Sequence, residues 1–147
     1  MNFKLGGVGV TGRFKPLHNG GAVLLESLCK KSDFVLIGIG SINKYNLRNP
    51  FTFEETKEMI DSFLKENFNN YEILGIPDFA HIKGYENGQK WKEFVLEKFG
   101  KLDYFVSGND FVKNLLKDNY SLIHPGEIVP KENWIFLRGA EVRYKIA

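Results

Sequence analysis

Short apolar runs alternate with amphipathic stretches along this chain, and the alternation carries its strongest structural signal. Residues 8–11, Val-Gly-Val-Thr, are flanked by glycine and predict a short buried strand. From 20 to 31 the apolar positions Ala22, Leu25, Leu28 and Cys29 recur at helical spacing. Residues 34–39, Phe-Val-Leu-Ile-Gly-Ile, are apolar without interruption, as in a central strand covered on both faces. A polar loop follows over 40–50. Thr52 then has the chemistry of an N-cap. Glu54 and Glu55 suit a helix's first turn, and Met59, Ile60 and Phe63 are expected to face inward. Residues 71–76 predict a third strand, closed by Pro77. A helix is expected from about 90 to 99, bearing Trp91, Phe94, Val95 and Phe99. Residues 104–106 predict a fourth strand and 110–116 a short helix. Candidate edge strands lie at 120–123 and 134–137, and a last helix starts near Ala140.

Repeated strand–helix alternation predicts one α/β domain over 1–147, a doubly wound parallel sheet with helices on both faces. In such sheets ligands bind outside the carboxyl ends of the strands, where the strand order reverses. Chemistry is therefore expected in the loops 12–19, 40–50, 78–89, 107–110 and 138–143. No linker, repeat or low-complexity tract divides the chain.

Composition narrows the function classes. A chain of 147 residues can bury a sizeable core. The formal net charge of +2 gives no argument for a nucleic-acid partner. The lone Cys29 excludes an internal disulfide framework and suits a reducing cytoplasm. Its place on an apolar helix face makes it a buried structural thiol. Residues 1–5 lack the apolar core of a signal peptide, and no apolar run is long enough to cross a bilayer. The thirteen Phe are read as core. A cytoplasmic protein without a membrane or nucleic-acid partner is expected.

Two motifs can be set aside. Gly7-Val8-Gly9-Val10-Thr11-Gly12 matches Gly-x-Gly-x-x-Gly. The dinucleotide fingerprint needs its glycines after a strand and an acid near the end of the next one. Here the match overlaps the strand itself, and the second strand ends in Gly38-Ile39-Gly40-Ser41 with no acid. No Gly-Lys-Ser or Gly-Lys-Thr of a P-loop occurs. His18, His81 and His124 have no metal-ligand spacing, and one cysteine makes no thiolate cluster, so no protein-bound metal is expected.

The most informative stretch is Gly-Arg-Phe-Lys-Pro-Leu-His-Asn-Gly-Gly at 12–21. A strand ends, a tight loop carries two cations and an imidazole, and a helix begins. That suits a polyphosphate: cations neutralise it, and the N–H groups of a helix start point at its oxygens. Gly12 lets the backbone approach a ligand closely. Arg13 can hold phosphate through two parallel N–H groups. Lys15 adds a cation and Pro16 stiffens the turn. His18 alone would read as a surface or capping histidine at a helix start.

Here and at later positions the chain resembles the archaeal nicotinamide-mononucleotide (NMN) adenylyltransferases of the nucleotidyltransferase superfamily. Their signature is Gly-Arg-Phe-Gln-Pro followed by His-x-Gly-His. Lys15 stands at the family's Gln, and Gly21 at its second histidine, so the motif is degenerate. The resemblance implies a Rossmann-like fold and attack of a mononucleotide phosphate on the ATP α-phosphorus, with pyrophosphate released. It implies that magnesium is held by the triphosphate, that NAD biosynthesis is the setting, and that a homo-oligomer is possible. Family members continue with further helix beyond the position of Arg143.

Gly40-Ser41 and Asn49-Pro50-Phe51-Thr52 resemble further family segments, with Lys44 and Arg48 between them as a lid over phosphate or as solvated cations. Thr56 stands where the family commonly has arginine. Ser107-Gly108-Asn109 matches a loop that the family places near adenine and ribose, although turn chemistry explains it too. Leu137-Arg138-Gly139-Ala140-Glu141-Val142-Arg143 resembles Ile-Ser-x-Thr-Glu-Ile-Arg, which puts Arg143 on the β- and γ-phosphates. Trp91 is either the tryptophan near the nicotinamide ring or a core residue, and Asp78 is a candidate for orienting the acceptor.

The expected site is therefore His18, Lys15 and Arg138 for catalysis. Gly12, Arg13, Phe14, Gly21, Ser107, Gly108, Asn109 and Arg143 are expected to bind the nucleotide, and Ser41, Lys44, Asp78 and Trp91 the acceptor. Two alternatives stay open: a catalytically weak or inactive nucleotide-binding paralogue serving as sensor or partner, and an adenylyl- or cytidylyltransferase for another phosphorylated acceptor.

Overall fold

The chain folds into alternating strands and helices: β1 (Leu5–Gly12), α1 (Asn19–Lys31), β2 (Ser32–Gly40), α2 (Phe53–Leu64), β3 (Tyr71–Ile76), α3 (Gln89–Phe99), β4 (Tyr104–Val106), α4 (Asp110–Leu116), β5 (Ser121–Ile123) and α5 (Pro125–Ile128), then a 3₁₀ turn over Lys131–Asn133. This computed structural model describes residues 5–12, 14, 17, 19–40, 51–78 and 88–133. The candidate strand at 134–137, the helix from Ala140 and the loop at 41–50 lie outside the described residues.

The five strands form one sheet in the order β3-β2-β1-β4-β5, and every pairing is parallel. Val10 is level with Ile37 on one side and Val106 on the other, and Val106 with Ile123. Alternate residues of a strand face opposite sides, so two cores form. Val35, Ile37 and Ile39 join Leu25 and Leu28 of α1, Ile60 and Leu64 of α2, and Ile128 of α5. Leu36 joins Val95 and Phe99 of α3, Phe105 and Leu116. The expected doubly wound α/β sheet is present.

Glycine inside the strands lets aromatic rings lie on the sheet. A β-carbon on Gly9 would stand 2.9 Å from both the Phe99 and Phe105 rings, and one on Gly38 would stand 2.8 Å from Phe99. Phe105 stacks on Tyr120 at 5.5 Å between ring centres. The Tyr120 hydroxyl donates to the Gly100 carbonyl at 2.6 Å. The Gly-x-Gly-x-x-Gly glycines therefore sit within β1, and Gly9 serves packing.

Local chemistry sets the helix ends. Thr52 caps α2 in a reciprocal box: its hydroxyl accepts from Glu55 N at 3.1 Å, and the Glu55 carboxylate accepts from Thr52 N at 3.0 Å. The inward stripe of α2 is Thr56, Ile60 and Leu64, four residues apart. Phe63, expected inward, is 39% exposed because it lies on the flank of that stripe. Helix α5 was not anticipated in sequence. His124 caps it and Pro125 opens it, a pairing that favours helix starts. The Asn70 amide donates to the carbonyls of Cys29 at 2.9 Å and Ser32 at 3.0 Å. It clamps the start of β3 to the junction where α1 gives way to β2.

Cys29 is 4% exposed, and burial pushes its thiol from 9.0 up to about 11. Burial also raises Tyr71, with help from its hydrogen bond to Asp61, and burial raises Tyr120. All three groups are neutral when protonated, and the unfolded chain loses those protons first. Their contribution is complete below about pH 9 and falls as pH climbs toward the folded values. Urea unfolding between pH 8 and 10 is expected to show declining stability, with a shallower decline in Cys29→Ala. Equal slopes in the two proteins would contradict this.

Candidate functional site

β1 is bonded along both edges. The chain moves from it to β2 and β3 on one side, then crosses to β4 and β5 on the other. The loops after β1 and β4 thus leave the sheet in opposite directions, and a crevice opens at their carboxyl ends. Thr11 and Gly12 follow Val10, the last residue of β1 to pair with β4. Two further residues lift the end of β1 about 7 Å above β4. Gly12 ends β1, Ser107-Gly108-Asn109 follow β4, and Gly21 lies in the first turn of α1.

Phe14 governs the described part of the first loop. Its φ is +52°, a left-handed conformation that costs a non-glycine residue about 1–2 kcal/mol. Its ring packs against the core cluster beneath α1, which offsets that strain. A β-carbon on Gly12 would lie 2.8 Å from the ring tip, and one on Gly21 would lie 3.2 Å from the ring's Cδ1 and 3.3 Å from the Leu17 Cδ1. The aromatic ring therefore occupies the space over Gly21, and glycine at 12 and 21 makes room for it. Arg13, Lys15, Pro16 and His18 lie outside the described residues, as do Ser41, Lys44, Arg48, Arg138 and Arg143.

On the other side of the crevice the polar side chains build the turn. The Ser107 hydroxyl accepts from Asn109 N at 3.1 Å, and the Asn109 side-chain oxygen accepts from Val112 N at 3.1 Å as the N-cap of α4. What Gly108 offers is an open backbone: a β-carbon there would meet nothing closer than 3.5 Å. Asp110 is exposed and lies 3.6 Å from Lys113, so this side carries no net positive charge at its rim.

Trp91 is half-buried in the first turn of α3 and packs on the second core cluster. Asp78 is half-buried just past β3. Thr56 is fully buried, and its hydroxyl donates to the Thr52 carbonyl at 2.9 Å, so this point on α2 faces the core rather than a ligand. A hollow of about 540 Å³ opens between Leu17 and Phe51, Glu55, Glu58, Met59 and Ser62. Its two carboxylates give it the wrong sign for a polyphosphate. No three His, Cys, Asp or Glu residues converge on a metal position among the described residues.

His124 is a polar group at this end of the sheet that the motif search did not assign to the site. It directly follows β5, and its exposed ring lies beside Gly108: a β-carbon on Gly108 would stand 3.5 Å from His124 Nε2. The available signal was a His-Pro pair immediately after a predicted strand.

The cytidylyltransferase-like family matches residues 10–141. A nicotinamide-nucleotide adenylyltransferase of Methanococcus aeolicus is 31% identical over 138 residues, covering 93% of this chain and 75% of that protein. The one from Thermococcus kodakarensis is 32% identical over 111 residues, 73% of this chain and 56% of that protein. The chain thus spans little more than half the length of that relative. A crystal structure of a bifunctional NMN adenylyltransferase/ADP ribose pyrophosphatase from Francisella tularensis superposes with a TM-score of 0.66 at 24% identity, over 83% of this chain and 38% of that one. Its complex with AMP and a manganese ion gives 0.64 at 23%, over 82% and 36%. These two likenesses are of fold.

The packing of Phe14 over Gly21 makes the two positions interdependent. Gly21→His is expected to be more costly with Phe14 present than in a Phe14→Ala background, by roughly 1–2 kcal/mol in a double-mutant cycle. Urea unfolding of the four proteins measures this, and additive effects would show that the ring does not fill the space.

Proposed function

The chain belongs to the cytidylyltransferase-like family, and from that premise we propose that it is a nucleotidyltransferase that moves AMP from ATP to a mononucleotide such as NMN. The observation that carries the reading is that β1, which leads into the block 12–21, and β4, which leads into 107–109, are neighbours where the strand order reverses. Similarity to proteins named nicotinamide-nucleotide adenylyltransferase supports NMN as acceptor. NAD biosynthesis in the cytoplasm is the setting that follows.

In this reading an acceptor phosphate oxygen attacks the ATP α-phosphorus. A new P–O bond forms as the bond to the β-phosphate breaks, and pyrophosphate leaves with that electron pair. No covalent enzyme intermediate is needed, so the protein's work is alignment and charge stabilisation. Arg13, Lys15 and His18 would hold the triphosphate, and Arg143 its outer phosphates. Gly12 keeps the strand end open beside Phe14. Ser41, Lys44, Asp78 and Trp91 are the acceptor candidates. A magnesium ion carried by the triphosphate would draw charge from the leaving group.

Glycine at position 21 offers only a backbone N–H where the resembled family has an imidazole. Losing one preorganised donor costs about a hundred- to a thousandfold in rate. Arg138, standing where that family has serine, is proposed to offset part of this loss. The same position favours a second reading, a nucleotide-binding protein of weak or no turnover, because even a β-carbon there would crowd the Phe14 ring at 3.2 Å.

Pyrophosphate release from ATP and magnesium, measured with NMN and then with a panel of other phosphorylated acceptors, separates these readings. Release with NMN is expected. His18→Ala should reduce it about a hundredfold or more, and Arg138→Ser should lower both ATP affinity and turnover. ATP binding without release for any acceptor would establish the second reading. Unchanged kinetics in Arg138→Ser would remove its compensating role.

A further inference from the structure

We propose that Phe14 is a positioning residue: its ring is a spacer that fixes the gap between the end of β1 and the first turn of α1, and so the span of the loop between them. The inference rests on the nucleotidyltransferase reading, which gives that loop to the triphosphate. It moves Phe14 from the nucleotide contacts expected in sequence to the scaffold beneath them.

Three observations converge on it. First, the backbone. Phe14, with φ at +52°, is the one non-glycine residue in the left-handed region among the described residues. Such a conformation persists only where its surroundings over-determine it, and residues of this kind cluster at ligand clamps. Second, the ring lies against two glycines from different elements. A β-carbon on Gly12, the last residue of β1, would stand 2.8 Å from its Cζ, and one on Gly21, in the first turn of α1, would stand 3.2 Å from its Cδ1. Strand and helix therefore meet opposite ends of one ring, and with no β-carbon at either point the ring rests directly on backbone. Third, Leu17 arrives at the same place. Its Cδ1 would lie 3.3 Å from a β-carbon on Gly21, and both Phe14 and Leu17 pack on the core cluster. Two loop side chains, three residues apart, are thus seated at a single helix position.

The elements on either side of the ring are themselves held. Gly12 is level with Ile39 of β2. Helix α1 buries Leu24, Leu25 and Leu28, and the Asn70 amide holds its far end through the Cys29 carbonyl. Neither element can drift, so the side chain between them sets the width of the gap. Phosphoryl transfer leaves a protein little covalent chemistry to do, and misplacing the reacting groups by about 1 Å can cost about a hundredfold in rate. A spacer of this kind acts on phosphate affinity and turnover without touching the substrate.

Calorimetry with magnesium–ATP and with magnesium–tripolyphosphate, and pyrophosphate release with NMN, test the assignment on proteins that circular dichroism shows to be folded. Phe14→Gly frees the backbone and removes the spacer. It is expected to bind both ligands about tenfold more weakly and to slow release by about a hundredfold. Gly21→Ala keeps the ring and sets one methyl group against it. It is expected to weaken both ligands about three- to tenfold, and to cost nothing further in a Phe14→Gly background. Variants that are less stable yet bind and turn over as wild type does would make the ring merely structural and overturn the inference. Weaker ATP binding with tripolyphosphate unchanged would make the ring a contact for base or sugar, which also overturns it, and additive affinity losses would remove the spacer role. Where Phe14→Gly does not fold, Gly21→Ala alone decides, and the affinity readouts hold even at weak turnover. A wild-type protein that binds no ATP would overturn the inference together with the reading on which it rests.

Discussion

Hydrogen bonding along both edges of β1 is the constraint on which the rest of the molecule depends. A strand paired on both sides cannot be an edge, so the chain must place β2 and β3 to one side of it and β4 and β5 to the other. Right-handed crossovers then carry the helices to opposite faces, and two cores result instead of one. The crevice at the end of β1 follows from this arrangement. The sheet reverses there, and the loops that leave β1 and β4 diverge. Placing the site needs no special side chain; chemistry enters only with the residues that line the gap.

Within the gap, one aromatic ring shapes the backbone. Phe14 holds a left-handed conformation and packs against the core side of the sheet, so part of the loop is tied to the scaffold. The glycines at 12 and 21 are complementary to that ring. Gly21 belongs to a local packing arrangement in which a β-carbon would crowd both Phe14 and Leu17. Across the gap, Ser107 and Asn109 spend their side-chain oxygens on backbone N–H groups, beside the exposed backbone of Gly108.

Much of the fold was legible because its signals are periodic and local. A continuous apolar run marked β2, helical spacing marked α1 and α3, and Thr52 as an N-cap marked the start of α2. The errors have physical causes. Phe63 looked inward by spacing, but the stripe through Thr56, Ile60 and Leu64 leaves it on a flank. Helix α5 is four residues long, too short to display a period. The residue types of the first loop read as a candidate phosphate-binding segment, yet the packing of Phe14 on Gly12 and Gly21 depends on a backbone angle that no composition reveals. Strand register sets His124 beside Gly108 although the two are separated along the chain, a placement that no local pattern displays.

Helix α1 ends at Lys31 and β2 begins at Ser32, with Asn70 pinning the carbonyls on either side of the joint. No slack exists there. An inserted residue would turn the helix by about 100° about its axis or slip the strand by one place and invert its faces. Length variation among descendants of this chain should therefore accumulate at the opposite end of the sheet. The seam opposite the crevice fixes the rotational phase of α1, and so the direction in which the start of that helix faces.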